Sequence, residues 1–143
     1  MPSFLVTNAF LDLAGGHGTV KDFYGNKSLH AIIADAYKAG KVVAADCHGP
    51  VALIGCKVDD EFLVNGKEVT GFTNAEEDAV NHTALCKELN DGQTIEDGLK
   101  KCGGKFVGGA DWGSNVCVAG NLVTGQNPAS SRAVAEAVLK VLG

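Results

Sequence analysis

The stretch GKVVAADCHGPVALIG, residues 40–55, decides how this chain folds. Its first half, Val42 to Ala45, is apolar without alternation, which suits a strand covered on both faces, as in a parallel sheet flanked by helices. The run breaks at Asp46-Cys47-His48-Gly49-Pro50 and resumes as VALIG. Pro50 fits a first helical position because its missing N–H is not needed there, so the break reads as a sharp strand-to-helix turn with VALIG helical. In open α/β sheets reactive groups gather at the carboxyl ends of strands, and Cys47 stands at such an end.

Working outward, AFLDLAGGHG (9–18) reads as a short strand entering a glycine loop. SLHAIIADAYKAG (28–40) puts Leu29, Ile32, Ile33, Ala36 and Tyr37 at helical spacing, with Gly40 as the stop. Downstream, KEVTGF (67–72) reads as a strand, and Asn74 as the cap of a helix over AEEDAVNHTALCKEL (75–89), with Glu76 and Glu77 near its positive end. NVCVAGNLVTG (115–125) predicts a hairpin turning at Ala119-Gly120-Asn121. SSRAVAEAVLKVLG (130–143) predicts a helix capped by Ser130 or Ser131, with Val134, Val138, Val141 and Leu142 along one face. NDGQTIEDGLKKCGGK (90–105) is the most loop-like region. This order predicts an α/β sandwich, and 143 residues suit one domain spanning 1–143.

A net charge of −5 argues against a nucleic-acid partner, which needs a surplus of Lys and Arg on one face. No apolar run approaches the ~18 residues of a membrane span, and the amino terminus has no basic residue before its apolar part, so a soluble cytoplasmic protein is expected. The 19 glycines, about twice the usual ~7% share, point to tight turns and close backbone approaches. Cys47, Cys56, Cys86, Cys102 and Cys117 are odd in number and form no C-x-x-C pair. They read as free thiols without ligand spacing for zinc, and no metal site is expected.

The turn at 46–50 has the form of a nucleophile elbow carrying Cys instead of Ser. A thiol at a helix amino terminus can fall from about 8.5 to ~3.5–7.5, so location is expected to activate Cys47. His48 is placed to carry its proton, and Glu77 is a candidate to orient the imidazole. An isolated Cys-His pair is more often a buried thiol beside a satisfied neighbour, but the strand before it and the Gly-Pro after it favour the reactive reading. Asp46, a carboxylate beside the nucleophile, would raise the thiol pKa by like-charge repulsion, and strand alternation is expected to turn it to the opposite face. In the GGHG loop (15–18), the Gly16 amide and the His48 amide are the proposed oxyanion donors. His17 is a substrate contact candidate, and Trp112 in GGADWGSN (108–115) a candidate pocket wall.

AGGHGTVKDF (14–23), GKVVAADCHGPVAL (40–53), GKEVTGFTNAEEDAV (66–80) and GNLVTGQNPASS (120–131), in this order, resemble the ThiJ/PfpI superfamily, and within it the glutathione-independent glyoxalase and heat-shock chaperone branch. The resemblance implies a flavodoxin-like three-layer sandwich with a mostly parallel sheet, and a Cys-His-Glu triad carried by Cys47, His48 and Glu77, with Glu76 the competitor one residue away. It also brings Asn127 and Ser130 toward the site, and implies a homodimer. Members of the superfamily carry further strands and a glutamate ahead of the GGHG loop, whereas this chain begins about a dozen residues before it, so an amino-terminally shortened domain with an open sheet edge is expected. The function so implied is conversion of methylglyoxal-like 2-oxoaldehydes to 2-hydroxy acids, of the D-lactate dehydratase type, with no cofactor. The alternatives are a stress protein that uses Cys47 as a redox sensor or works as a holdase chaperone, and, lower, an amidotransferase or peptidase.

Overall fold

The computed structural model describes residues 10–143. Strand β1 (Phe10–Leu13) leads through the glycine loop to α1 (Thr19–Phe23) and α2 (Lys27–Lys38), and β2 (Val42–Asp46) follows. The main sheet has the order β1-β2-β8-β7, where β7 is Val116–Ala119 and β8 is Leu122–Gly125. β1, β2 and β8 run parallel, and β7 pairs antiparallel with β8 through the predicted hairpin, placing Ala119 opposite Leu122.

The unalternating strand has the predicted two faces. Val43 and Ala45 pack with Leu13, Ile33 and Leu122 in the larger core. Val42 and Ala44 pack with Val123 against Val134 and Val138 of α6 (Ser131–Leu142). This is the layered α/β arrangement predicted from residues 40–55, with helices on both faces of a mostly parallel sheet. Among the described residues β1 is an edge strand, and Phe10 on it and Leu139 on α6 are exposed.

Several local expectations shift. VALIG does not extend as an α-helix: a 3-10 turn spans Gly49–Leu53, and Ile54 is already extended. All five of its residues are buried, leaving no solvent-facing side along which an amphipathic helix would grow. KEVTGF contributes only β5 (Glu68–Val69), which pairs with β6 (Lys105–Phe106) outside the main sheet. These two strands follow β3 (Lys57–Val58) and β4 (Glu61–Phe62), which form their own small ribbon.

The helix over AEEDA is capped by Thr73, with Asn74 as first residue of α3 (Asn74–Ala79). Thr73 Oγ1 accepts from the Glu76 amide at 3.1 Å and Glu76 Oε1 accepts from the Thr73 amide at 3.2 Å, a closed capping box that outcompetes a lone Asn cap. The chain then turns into α4 (Thr83–Leu89), and the loop-like region contains α5 (Ile95–Lys101), capped by Thr94. Finally, Ile32 of α2 points outward while Ile33 is fully buried, and Ser130 stands at the start of α6 without capping it.

No described helix is long and apolar enough to cross a membrane.

Candidate active site

Cys47 leaves β2 with φ 58°, in the left-handed region that non-glycine residues seldom occupy. Two backbone bonds hold it there: its amide donates to the Gly125 carbonyl at 3.0 Å, and its carbonyl accepts from the Phe72 amide at 2.8 Å. The bend also needs two close backbone approaches. A methyl at Gly15 would stand 2.7 Å from both the Asp46 carbonyl oxygen and the Cys47 Cβ, and one at Gly49 would overlap the Leu13 carbonyl oxygen. Only residues without a Cβ let the GGHG loop and the elbow lie against each other.

His48 is fully buried beside the sulfur. Its Nδ1 lies 3.4 Å from Cys47 Sγ, and its Nε2 lies 2.9 Å from Glu77 Oε2. A carboxylate only accepts, so Nε2 carries the proton and the Nδ1 lone pair faces the thiol. The imidazole packs against Phe72, with ring centroids 4.2 Å apart, and against His17, at 3.9 Å. Glu77 is buried at the start of α3, and its Oε1 also meets His17 Nε2 at 3.1 Å. His48 thus joins Cys47 on one side to Glu77 on the other.

Glu76 points elsewhere. Its buried carboxylate accepts from the Trp112 amide and Asn127 Nδ2, both at 2.8 Å, and from Gln126 Nε2 at 3.1 Å, besides the Thr73 amide. Burial alone would raise its pKa, but these four donors hold it below the ordinary carboxylate value. Asn127 is therefore no pocket residue: it is fully buried, with Nδ2 on Glu76 and the Gly113 carbonyl and Oδ1 accepting from the Ser130 hydroxyl. The Ser130 oxygen in turn accepts from the Asn115 amide at 3.0 Å, and accordingly does not cap α6.

Asp46 turns to the opposite face, as alternation requires, where its Oδ2 accepts from the Ser131 hydroxyl and its Oδ1 from the Gly15 amide at 3.3 Å. A cavity of about 780 Å³ opens over the sulfur, with Gly16, His17, Cys47, His48, Phe72 and Trp112 at its reactive end. Trp112 is half-exposed and meets Phe72 edge-on at 5.7 Å.

Activation of the thiol by location alone does not hold. Burial pushes the Cys47 thiol up to about 11, the charges of Asp46 and Glu76 push the same way, and the Gly16 and His48 amides only partly offset them. A 3-10 turn of five residues supplies little of the dipole that a long helix would bring. Iodoacetamide is therefore expected to label Cys47 more slowly than free cysteine at pH 8, with the rate climbing until about pH 11. Peptide mass spectrometry across pH 7–11 checks this, and a plateau near the usual thiol value of ~8.5 would contradict it.

The other four cysteines are buried and free, as read from their spacing. Sequence reasoning passed over Phe72, Gln126 and His82, whose roles come from contacts between distant segments.

Residues 8–141 match the DJ-1/PfpI family. The chain belongs to this family. The glutathione-independent glyoxalase HSP31 of Saccharomyces cerevisiae is 38% identical over 125 residues, which are 85% of this chain and 52% of that protein. The crystal structure of glyoxalase III from Candida albicans superposes with a TM-score of 0.86 at 33% identity, covering 97% of this chain and 60% of that one. The rapid encystment protein of Francisella tularensis gives a TM-score of 0.87 at 36% identity, over 94% of this chain and 58% of that one. The chain spans about half the length of the curated relatives it matches. As a DJ-1/PfpI protein with neighbours of this kind, it has the flavodoxin-like fold that the four sequence motifs implied.

Proposed function

We propose that this DJ-1/PfpI protein is a glutathione-independent glyoxalase that converts a methylglyoxal-like 2-oxoaldehyde to a 2-hydroxy acid through Cys47. The observation that carries this reading is the Cys47–His48–Glu77 line at the mouth of an apolar cavity. Names of the relatives supply the substrate class, and the geometry supports a route to it.

Because the thiol rests protonated, attack is coupled to proton transfer: the sulfur bonds to the aldehyde carbon while the S–H proton passes to His48 Nδ1. Glu77 stabilises the imidazolium so formed, and the Gly16 and His48 amides face the oxygen that gains charge. His48 returns the proton to that oxygen, giving a hemithioacetal. It then takes the proton from the former aldehyde carbon and delivers one to the adjacent carbonyl carbon, while the hemithioacetal hydroxyl proton passes to the adjacent carbonyl oxygen. The first carbon is oxidised to a thioester as the second is reduced to an alcohol, so no external oxidant enters. Water cleaves the thioester, releasing the 2-hydroxy acid and restoring the thiol.

The test is lactate formation from methylglyoxal without glutathione, by wild type and by Cys47→Ala. Turnover in the first and none in the second is expected; equal rates would refute the reading. The redox-sensor alternative is disfavoured by the same burial, since a thiol held near 11 carries little of the thiolate that peroxide oxidises.

A further inference from the structure

His17, Glu77 and His82 each turn one donor atom toward the others, all within 4.8 Å. Two imidazoles and one carboxylate are the donor set of many zinc sites that keep an open coordination position. His17 Nε2 and Glu77 Oε1 are already 3.1 Å apart, close to the roughly 3.3 Å that two ligands at ordinary zinc distances show in a tetrahedron. His82 Nδ1 is buried and has no hydrogen-bond partner among the described residues, so no bond is given up there on coordination. The His82 ring stands edge-on to His17 with centroids 4.1 Å apart. Its backbone is fixed from both sides, donating to the Glu77 carbonyl at 3.1 Å and accepting from the Cys86 amide at 2.9 Å.

We infer that His17, Glu77 and His82 form a site for zinc or a similar divalent transition metal, which restrains the triad by occupying its carboxylate. His48 Nε2 lies 2.9 Å from Glu77 Oε2 and 3.2 Å from Oε1, so an ion that takes Oε1 displaces only the longer contact and leaves His48 on Oε2. A dication on Oε1 draws negative charge away from His48. The imidazolium formed as sulfur adds to the aldehyde then loses support, and turnover slows. Of the three ligands, His17 also borders the substrate cavity. This inhibitory consequence rests on the glyoxalase reading; the binding does not.

The experiment separates the two. Zinc binding is measured by calorimetry, and cobalt binding by its visible ligand-field bands, on the Cys47→Ala protein, which removes the one thiol facing the cavity. One equivalent is expected, with affinity weakened by more than about 100-fold in a further His82→Ala exchange, since loss of even an outer-shell partner costs 10–100-fold. Cys86→Ser, beside the site but outside the donor set, is expected to bind zinc within a few-fold of its parent and serves as the fold control. Binding that is absent, that survives His82→Ala, or that disappears with Cys86→Ser overturns the inference. In wild type, zinc is expected to depress lactate formation, and His82→Ala to remove that sensitivity as a ratio of rates with and without metal. Binding without inhibition would overturn the restraint but leave the site. Absence of methylglyoxal turnover would count against the glyoxalase reading and leave the calorimetric result standing.

Discussion

Replacing Glu76 with Ala is expected to lower stability by about 3–5 kcal/mol, whereas Glu77→Gln, one residue along, is expected to slow turnover by about 10²–10⁴-fold at little cost in stability. The two carboxylates are buried side by side on α3, yet their partners differ. Glu76 gathers donors from three separate segments: the Thr73 amide at its own helix start, the Trp112 amide in the loop before β7, and Gln126 and Asn127 after β8. Each hydrogen bond to a charged group is worth about 1.5–3 kcal/mol, and each donor left buried without a partner costs a further 1–3 kcal/mol. Relaxation recovers part of that sum, which brings the expected loss to the stated range and a thermal midpoint lower by roughly 10–20 °C. Glu77 instead faces two imidazoles, and Gln keeps an acceptor oxygen in nearly the same place while removing the charge that supports His48 as a cation. Thermal unfolding and steady-state turnover on both variants decide it. Similar melting of the two, or full activity in Glu77→Gln, would show that the roles are misassigned.

Adjacent identical residues with opposite duties mark where sequence reading stops. Periodicity and cap chemistry were enough to put both glutamates in the first turn of a helix. The GGHG loop, the unalternating strand and the Gly-Pro after Cys47 were enough to define the elbow. Each of these is a local signal, carried by residues within about ten positions of one another. What holds Glu76 is not local: its contacts to Gln126 and Asn127 span 50 and 51 residues, and nothing in GQNPASS distinguishes a donor to a buried carboxylate from a helix cap. The same limit explains why KEVTGF, strand-like by composition, pairs outside the main sheet. β-propensity describes fit to a pleated surface and does not say which surface. It also explains most of the raised thiol: the depth of burial and the charge of Glu76 depend on how the layers close, so a rule about helix termini pointed the wrong way, whereas the push from adjacent Asp46 was legible in the sequence. His82 was invisible for the same reason, because its meeting with His17 joins positions far apart in the chain.

Gly49→Ala is expected to be the most damaging single methyl in the elbow, removing the folded site altogether. The added Cβ would overlap the Leu13 carbonyl oxygen, the last residue of β1, and also stand 3.1 Å from the Leu13 carbonyl carbon. These are backbone atoms of a strand paired to β2 over four residues, so no side-chain rotation relieves the clash. Ordinary overpacking costs 1–3 kcal/mol where neighbours can shift, and here the shift would have to part β1 from the turn that carries Cys47 and His48. An expected loss above about 3 kcal/mol follows, together with loss of turnover. Gly18→Ala is the matched control, since a methyl there meets nothing within 4 Å and the residue has φ −60°. It is expected to change stability by less than about 0.5 kcal/mol. Urea unfolding of both variants distinguishes a steric requirement at the elbow from general sensitivity of the glycine-rich segments, and a Gly49→Ala protein as stable as wild type would mean that β1 does not lie against the turn.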